Sequence, residues 1–288
     1  MPELPEVETI ARELDEVMPR AWVTGLAVRL PKIVKVPVAR LRRALVGSTI
    51  RRVHRRAKLL LIDCSSGQTV LIHLKMSGQL IWRSRTGRLR VGGHPIPHGI
   101  EHLPNNYSHV IFTTTHGTLF FNDQRQFGFV KLVRTNQLEQ WLENQGYGPE
   151  PLSDDFTLGV FEGILKRHRV KRIKPTLMDQ TVIAGIGNIY ADESLFYARV
   201  RPTRRIKTLT PTEQRDLWRG IRHVMNLAIK HKGTTADAYR TANGQKGKMM
   251  PFLRVYGRAG QPCRRCNGTI KKITLAGRGT HYCPRCQR

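Results

Sequence analysis

The sequence predicts a two-domain α+β chain: an antiparallel β-sandwich preceded by one helix, then a helical domain ending in a small cysteine-bearing hairpin. Three observations carry this. Between Val23 and about Leu132, short β-branched or alternating runs are separated by Gly, Ser and Asn turns, the pattern of an antiparallel sandwich or barrel. Beyond residue 154, apolar residues recur at helical spacing. Four of the five cysteines form two Cys-x2-Cys pairs near the C-terminus.

Residues 2–18 read as a helix, because Leu4, Val7, Ile10, Ala11, Leu14 and Val17 share one face. Pro5 suits its first turn, and Pro19 stops it. Six strand-like runs follow: VTGLAVRL from Val23, STIRRVH from Ser48, KLLLID from Lys58, TVLIHLK from Thr69, HVIFTTT from His109 and GTLFFND from Gly117. Residues 84–106, rich in Gly, Pro, Arg and His, read as a long loop. A polar connector spans roughly 134–151. Helices are expected over 154–165, 176–183, 189–198 and 211–230, the last with a Thr210/Glu213 capping box, a Leu217, Ile221, Val224, Ala228 stripe and Gly233 as C-terminal cap. The Ala184-Gly185-Ile186-Gly187-Asn188 turn is no dinucleotide fingerprint, since Tyr190 stands where Gly or Ala is needed and helix precedes it. With no Walker A sequence either, no nucleotide cofactor is expected.

The 288 residues carry 49 Lys plus Arg against 21 Asp plus Glu, a net charge of +28. Hydrophobic residues at 40% exclude a disordered basic tail, so the charge belongs to a globular chain and points to a polyanionic partner. An anionic membrane surface is the competing polyanion, but no run approaches the roughly 18 apolar residues of a span. The charge is concentrated: residues 17–62 hold twelve Lys or Arg and no acid, residues 166–174 hold six basic side chains, and residues 238–288 again hold twelve and no acid. Such self-repulsion fits phosphate neutralisation with counterion release. Five clustered cysteines do not make a secreted disulfide scaffold, Cys64 reads as an ordinary reduced thiol, and the N-terminus has no signal h-region. A reducing, intracellular compartment is expected.

Cys263-x2-Cys266-x16-Cys283-x2-Cys286 has the spacing of a tetrahedral zinc-thiolate site, with a redox pair or a four-thiolate iron site as alternatives. Four ligands leave no open position, so such a metal folds the module and does not react. Arg264, Arg265, Lys271, Lys272 and Arg285 can offset the formal −2 of the four thiolates. Arg278, between Gly277 and Gly279 at the expected hairpin tip, is either a surface turn residue or a guanidinium offered to phosphate. Asn188 is expected at a helix N-cap, where it serves a structural turn or holds a phosphate. At the chain start, Pro2, Glu3 and Glu6 are helix-initiating residues, or chemistry. Removal of Met1 would expose a secondary amine, and α-amino groups titrate near pH 7.7–8 in peptides. With Glu3 as proton donor, that amine is suited to imine formation.

Taken together, the chain resembles the formamidopyrimidine-DNA glycosylases (8-oxoguanine DNA glycosylases), grouped in one superfamily with the endonuclease VIII enzymes. The resemblance covers nearly the whole chain, through MPELPEVET at the start, RRAKLLL at 55–61, HLKMSGQL at 73–80, FNDQRQFG at 121–128, IKPTLMDQTVIAGIGNIYADESLF at 173–196, VYGRAGQPC at 255–263 and GRGTHYCPRCQ at 277–287. It implies an N-terminal catalytic sandwich over 1–135, a linker over 136–152, a helix–two-turns–helix DNA-binding domain with a lesion-capping loop over 153–250, and a zinc finger over 251–288.

The family's roles carry over position by position. Pro2 resembles the amine that attacks C1′, Glu3 the acid that protonates the opening sugar, and Lys58, at the start of a strand, the lysine of base displacement and β-elimination. Arg278 matches the hairpin arginine that grips phosphate and is associated with δ-elimination. Asn188 and Lys174 match phosphate-binding positions, and His109 and Arg169 further DNA contacts. Met76, Arg125 and Phe127 match the trio that fills the gap left by a flipped nucleotide, where apolar wedges offset unstacking. The segment around Gly233-Thr234-Thr235 resembles the loop that closes over the flipped base.

The implied activity is a bifunctional glycosylase and abasic-site lyase for oxidised purines in damaged duplex DNA. The implied protein is a monomer with one structural zinc ion, in the bacterial cytoplasm at the nucleoid. An endonuclease VIII-like enzyme for oxidised pyrimidines and a catalytically silent zinc-finger DNA-binding protein are the alternatives. Gln126 stands where the family usually has arginine, and Lys75 where it often has glycine.

Overall fold

The computed structural model describes residues 1–94, 102–234 and 248–288. The chain divides into two compact units: Met1–Gln145 with His231–Lys248, and Gly146–Lys230 with Met249–Arg288.

The first unit is a β-sandwich closed by a helix. One sheet has the order β1 (Val23–Val28), β7 (Ser108–Thr114), β8 (Gly117–Asp123), β5 (Gly78–Ser84), β6 (Leu89–Gly93), and the other β2 (Ile50–Arg56), β3 (Leu59–Cys64), β4 (Gln68–His73), β9 (Phe129–Arg134). Every pairing is antiparallel. Alternate residues point inward, as the two-residue strand period requires. Leu80, Trp82, Phe112 and Phe121 from one sheet thus share a core with Leu60, Ile62, Ile72 and Val130 from the other. α1 (Leu4–Asp15) packs against the edge strands β2 and β6 of the two sheets, and Val7, Ile10, Ala11 and Leu14 enter the same core. Helix α1 is shorter at both ends than the 2–18 expected, with Glu3 as its N-cap.

Six strand-like runs in the sequence become nine strands. β6 lies inside residues 84–106, which composition suggested to be loop throughout; Leu89 and Val91 alternate with arginine and pair with β5. Residues 95–101 of that stretch lie outside the described residues. α2 (Val38–Leu45) reads in the sequence as basic charge, yet its Leu41 and Leu45 are buried. α3 (Leu138–Asn144) occupies the expected polar connector and buries Leu138 and Leu142.

The second unit holds α4 (Leu158–Arg167), α5 (Ile173–Met178), α6 (Asn188–Tyr197), α7 (Pro211–Lys230) and the hairpin β10 (Lys271–Leu275)–β11 (Arg278–Tyr282). α7 has the expected bounds and capping box: Thr210 N–H donates to Glu213 at 2.8 Å and Glu213 N–H to Thr210 Oγ1 at 3.2 Å. α4 starts four residues later than expected because Thr157, not an earlier residue, caps it, accepting from Val160 N–H at 3.3 Å. α5 ends before 183 because Asp179 Oδ1 accepts the N–H and hydroxyl of Thr181, at 3.0 and 2.7 Å, and turns the chain. α6 is buried on nearly every side, from Tyr190 through Phe196. It lies close to α7 at Gly220, where a Cβ would come within 2.8 Å of the Tyr197 ring.

Candidate active site and nucleic-acid interface

In the first unit, Pro2 and Glu3 are buried at the start of α1. The Glu3 backbone N–H donates to Glu6 Oε2 at 3.0 Å, while Glu6 Oε1 accepts from the Thr234 N–H at 2.8 Å. Lys232 Nζ pairs with Glu13 Oε1 at 2.9 Å. One carboxylate, Glu6, therefore holds both the helix start and the first residues of the expected lesion-capping segment. Thr235 and the rest of that segment lie outside the described residues.

Lys58 is buried in the turn between β2 and β3, one residue before β3 begins, after Ala57 at φ 54°. An ionic chain ties this turn to α1. Arg55 Nε donates to Glu8 Oε2 at 2.7 Å, and its Nη1 to the Ala57 carbonyl at 3.4 Å. Burial would raise the Glu8 pKa, but the Arg55 and Arg12 guanidinium groups outweigh it and hold the carboxyl below its usual range.

His73 is the neighbour that sequence reasoning missed. Its Nδ1 accepts from the Lys75 N–H at 3.0 Å, so any ring proton sits on Nε2. Burial first, then the charges of Lys75 and Lys58, push its pKa down to about 3. His73 is thus a neutral imidazole at working pH. Because the unfolded chain binds a proton near pH 6.5 that the folded chain refuses, stability is expected to fall as pH drops from about 6.5 toward 3. The slope is at most about 1.4 kcal/mol per pH unit. Urea titrations at pH 7 and pH 5 check this, and His73→Gln should flatten the difference.

The three expected gap-filling residues stand on two joined loops. Met76 is 39% exposed and Phe127 56%, so neither is core. The Arg125 guanidinium lies 4.8 Å from the centre of the Phe127 ring. The loops are joined by buried Asp123: its Oδ1 accepts the Ser77 hydroxyl at 2.5 Å and the Arg125 N–H at 3.2 Å, and its Oδ2 the Gly128 N–H at 2.6 Å. Ser77 Oγ in turn accepts the Arg125 N–H at 2.9 Å. Gly128 has no room for a Cβ, which would meet the Phe121 ring at 2.7 Å and His73 O at 2.9 Å. Gln126 takes the left-handed φ of 58° in the same loop.

His109 does not face outward. It is buried, and its Nε2–H donates to the Asp123 carbonyl at 2.8 Å, so it steadies this loop. Asp123→Ala is expected to cost roughly 2–3 kcal/mol, since it strands the buried Gly128 N–H and Ser77 hydroxyl. It should also weaken discrimination of lesion-containing from undamaged duplex. Thermal melting and competitive binding measure the two effects.

In the second unit the turn before α6 is built by Gln180. Its Nε2 donates to the carbonyls of Met178 and Ile186, both at 2.8 Å, and its Oε1 accepts the Gly185 N–H at 2.9 Å. Gly187, not Asn188, is the N-cap of α6; Asn188 is its first residue. Asn188 Nδ2 donates to the Gly279 carbonyl at 3.0 Å, and Lys174 Nζ to the same carbonyl at 3.2 Å. Both side chains thus converge on the residue after Arg278.

Lys174 is itself almost wholly enclosed. Its ammonium pairs with buried Asp192 at 2.8 Å and donates to Thr280 Oγ1 at 2.7 Å. Asp192 also accepts the His281 N–H at 2.8 Å. Lys174 therefore fastens the hairpin to α5 and α6 and presents no exposed charge to a phosphate. Arg278 and Arg169 are exposed. Arg278 opens β11, and the hairpin turn is Ala276-Gly277, both at positive φ, instead of the Gly277–Gly279 tip expected.

The Sγ atoms of Cys263, Cys266, Cys283 and Cys286 all lie within 4.8 Å of one another, with Cys263–Cys286 at 3.8 Å and Cys266–Cys283 at 3.5 Å. Tetrahedral zinc with bonds of about 2.3 Å sets its sulfurs about 3.8 Å apart, so the donor set fits that ion. Backbone N–H groups of Arg265 and Cys286 point at Cys263 and Cys283 sulfur, each at 3.4 Å, as thiolates favour.

Three family models match the chain: the formamidopyrimidine-DNA glycosylase N-terminal domain over residues 1–130, the formamidopyrimidine-DNA glycosylase H2TH domain over 147–239, and the zinc finger found in FPG and IleRS over 260–288. The formamidopyrimidine-DNA glycosylase of Pelotomaculum thermopropionicum is 42% identical, with 100% of this chain and 99% of that one covered. That of Herpetosiphon aurantiacus is 41% identical, with 100% of both covered. Among solved structures, Lactococcus lactis Fpg in complex with abasic-site DNA superposes with a TM-score of 0.88 at 33% identity, covering 99% of each chain. The wild-type Lactococcus lactis protein with DNA containing N7-benzyl-Fapy-dG gives 0.88 at 34% identity, covering 100% of each. With two nearly full-length relatives above 40% identity and all three domain models in register, the chain belongs to the formamidopyrimidine-DNA glycosylase family.

Proposed function

We propose that this chain is a bifunctional DNA glycosylase and abasic-site lyase that excises oxidised purines, 8-oxoguanine and formamidopyrimidines, from duplex DNA in base excision repair. The observation that carries it is the chain start: proline followed by a buried Glu3 at the N-terminus of a core helix, in the same unit as buried Lys58. After removal of Met1, the Pro2 nitrogen bonds to C1′ as the glycosidic bond breaks and the base leaves. Glu3 gives its proton to the ring oxygen as the sugar opens, leaving an imine at C1′. Loss of a C2′ proton then breaks the 3′ C–O bond, and a second elimination breaks the 5′ one. Lys58 supports base displacement and the first elimination, and Arg278 the second by holding phosphate.

Met76, Arg125 and Phe127 serve as the wedge, with Asn188, Arg169 and Arg278 on the backbone; Lys174 and His109 act by positioning. Cys263, Cys266, Cys283 and Cys286 hold one structural zinc ion, which fixes the hairpin and takes no part in the reaction. In domain terms, residues 1–135 are catalytic, 136–152 link, 153–250 bind DNA and cap the lesion, and 251–288 form the zinc finger. The partner is damaged double-stranded DNA and the working form a monomer. Among the described residues no helix is long and apolar enough to cross a membrane. The bacterial relatives support a cytoplasmic location, and association with the nucleoid is the part of this reading that follows from a DNA substrate.

Borohydride reduction during turnover of an 8-oxoguanine duplex is expected to trap a covalent adduct at Pro2. Trapping on thymine glycol duplex but not on 8-oxoguanine would shift the assignment to oxidised pyrimidines, and no adduct on either would sink the amine mechanism.

A further inference from the structure

The second unit carries a groove lined by none of the residues assigned a role in the reaction. It is a cavity of about 330 Å³ between the C-terminal end of α6, the middle of α7 and the segment leading into the zinc finger. Phe196, Val224, Leu227 and Met249 make its floor, and Tyr197 and Phe252, each about two-fifths exposed, stand at its edge. The rim is cationic: Arg254, Arg264 and Arg265 face it, with His223 stacked 4.9 Å from Tyr197.

Three guanidinium groups leave the rim positive, although Arg264 and Arg265, beside Cys263, also offset part of the thiolate charge. Arg264 donates only to the carbonyls of Pro251 and Leu253, and Arg265 to the Phe196 carbonyl at 3.1 Å while lying 4.2 Å over the Phe196 ring. Among the described residues none of the three has a carboxylate ion-pair partner. The one acid in the lining, Glu193, is buried and already accepts the N–H groups of Arg254, Val255 and Tyr256 at 2.8–2.9 Å. Its carboxylate shapes the groove without cancelling the rim.

An apolar depression large enough for one or two side chains, ringed by arginine, is complementary to an acidic segment with an aromatic or large aliphatic anchor. A second copy of this chain fits poorly, because two bodies of +28 repel. Nucleic acid fits less well than peptide, because Val224, Leu227 and Met249 line a hollow instead of a flat stacking platform. Along α6 the lining residues Glu193, Phe196 and Tyr197 lie five to nine residues from Asn188, about 8–13 Å at 1.5 Å per residue. We propose that this groove is a docking site for an acidic peptide segment of a partner protein, gripped by Arg254, Arg264 and Arg265 and anchored by an apolar side chain between Phe252 and the α6–α7 floor.

Fluorescence anisotropy with the zinc-loaded full-length protein tests it. The probe is a labelled octapeptide with four aspartates and a C-terminal phenylalanine, and decathymidylate serves as the nucleic-acid comparison. Saturable binding is expected in the micromolar range, weakened at least fivefold by Arg254→Glu, by Phe252→Ala and by serine in place of the peptide's phenylalanine. Both variants should keep wild-type excision of 8-oxoguanine, which reports correct folding independently of the groove. Equal binding by wild type and both variants would overturn the proposal, as would equal binding of the serine peptide, which would mark mere charge attraction. If Phe252→Ala instead weakens decathymidylate and leaves the octapeptide unchanged, the groove is a nucleic-acid subsite and the peptide assignment is wrong.

Discussion

Glu3→Gln is expected to lower 8-oxoguanine excision by roughly 10²–10⁴-fold, the usual worth of a placed proton donor, while leaving much of the cleavage at pre-formed abasic sites. The substitution keeps the shape of a buried side chain at the cap of α1 and removes only its ability to donate a carboxylic proton. The backbone hydrogen bond from residue 3 to Glu6 survives, so the helix start and the Thr234 anchor remain. An abasic sugar already samples the open aldehyde and needs less help to form the imine. Single-turnover assays on the two substrates separate the steps, and parallel loss of both activities would contradict the proton role of Glu3.

Removing zinc is expected to abolish tight duplex binding. Structural zinc is worth roughly 10–16 kcal/mol to a small thiolate module, more than this hairpin can replace from its own core. That core is slight: Val255, Cys263, Ile270 and Cys283 against Phe196. Once the thiolates part, β11 loses its register with β10, and Arg278 is no longer held where Lys174 and Asn188 meet Gly279. Chelation should raise the duplex dissociation constant at least a hundredfold. The melting of the first unit should change little, because its described core draws no residue from the module. Chelated protein that bound duplex normally would break the link between metal and phosphate grip.

The parts legible in the sequence were those whose signal is local. Cysteine spacing located the metal site, and the α7 stripe and capping box located that helix end to end. Pro2, Glu3 and Lys58 stand out as candidate chemistry through motif and resemblance, and their roles belong to the proposed function. What escaped was polar and buried. Asp123, Gln180, Asp192 and Glu193 fall inside the matching stretches yet carried no assigned role, because nothing in their local sequence says that a distant backbone will bring N–H groups to them. His73 escaped because it ends a strand whose apolar residues dominate the pattern. Lys174 shows the converse: its basic run reads as solvated charge, and only the fold shows one member turned inward onto Asp192. α2 and β6 escaped because arginines fill their exposed positions, masking two inward leucines in one case and a short alternation in the other.

Helix α1 touches an edge strand of each sheet and sinks four apolar side chains into their shared core. Chain ends ordinarily fray, and a terminal amine would then sample a wide volume before each attack. Under the proposed function, the second residue of the chain is moored through α1 to the shared core of its unit, which would narrow that search before DNA arrives. Pre-ordering of that kind is what effective molarities of about 10⁵–10⁸ M measure. On that proposal the sandwich, which holds none of the proposed reacting atoms in its interior, would contribute to the rate as entropy already lost during folding.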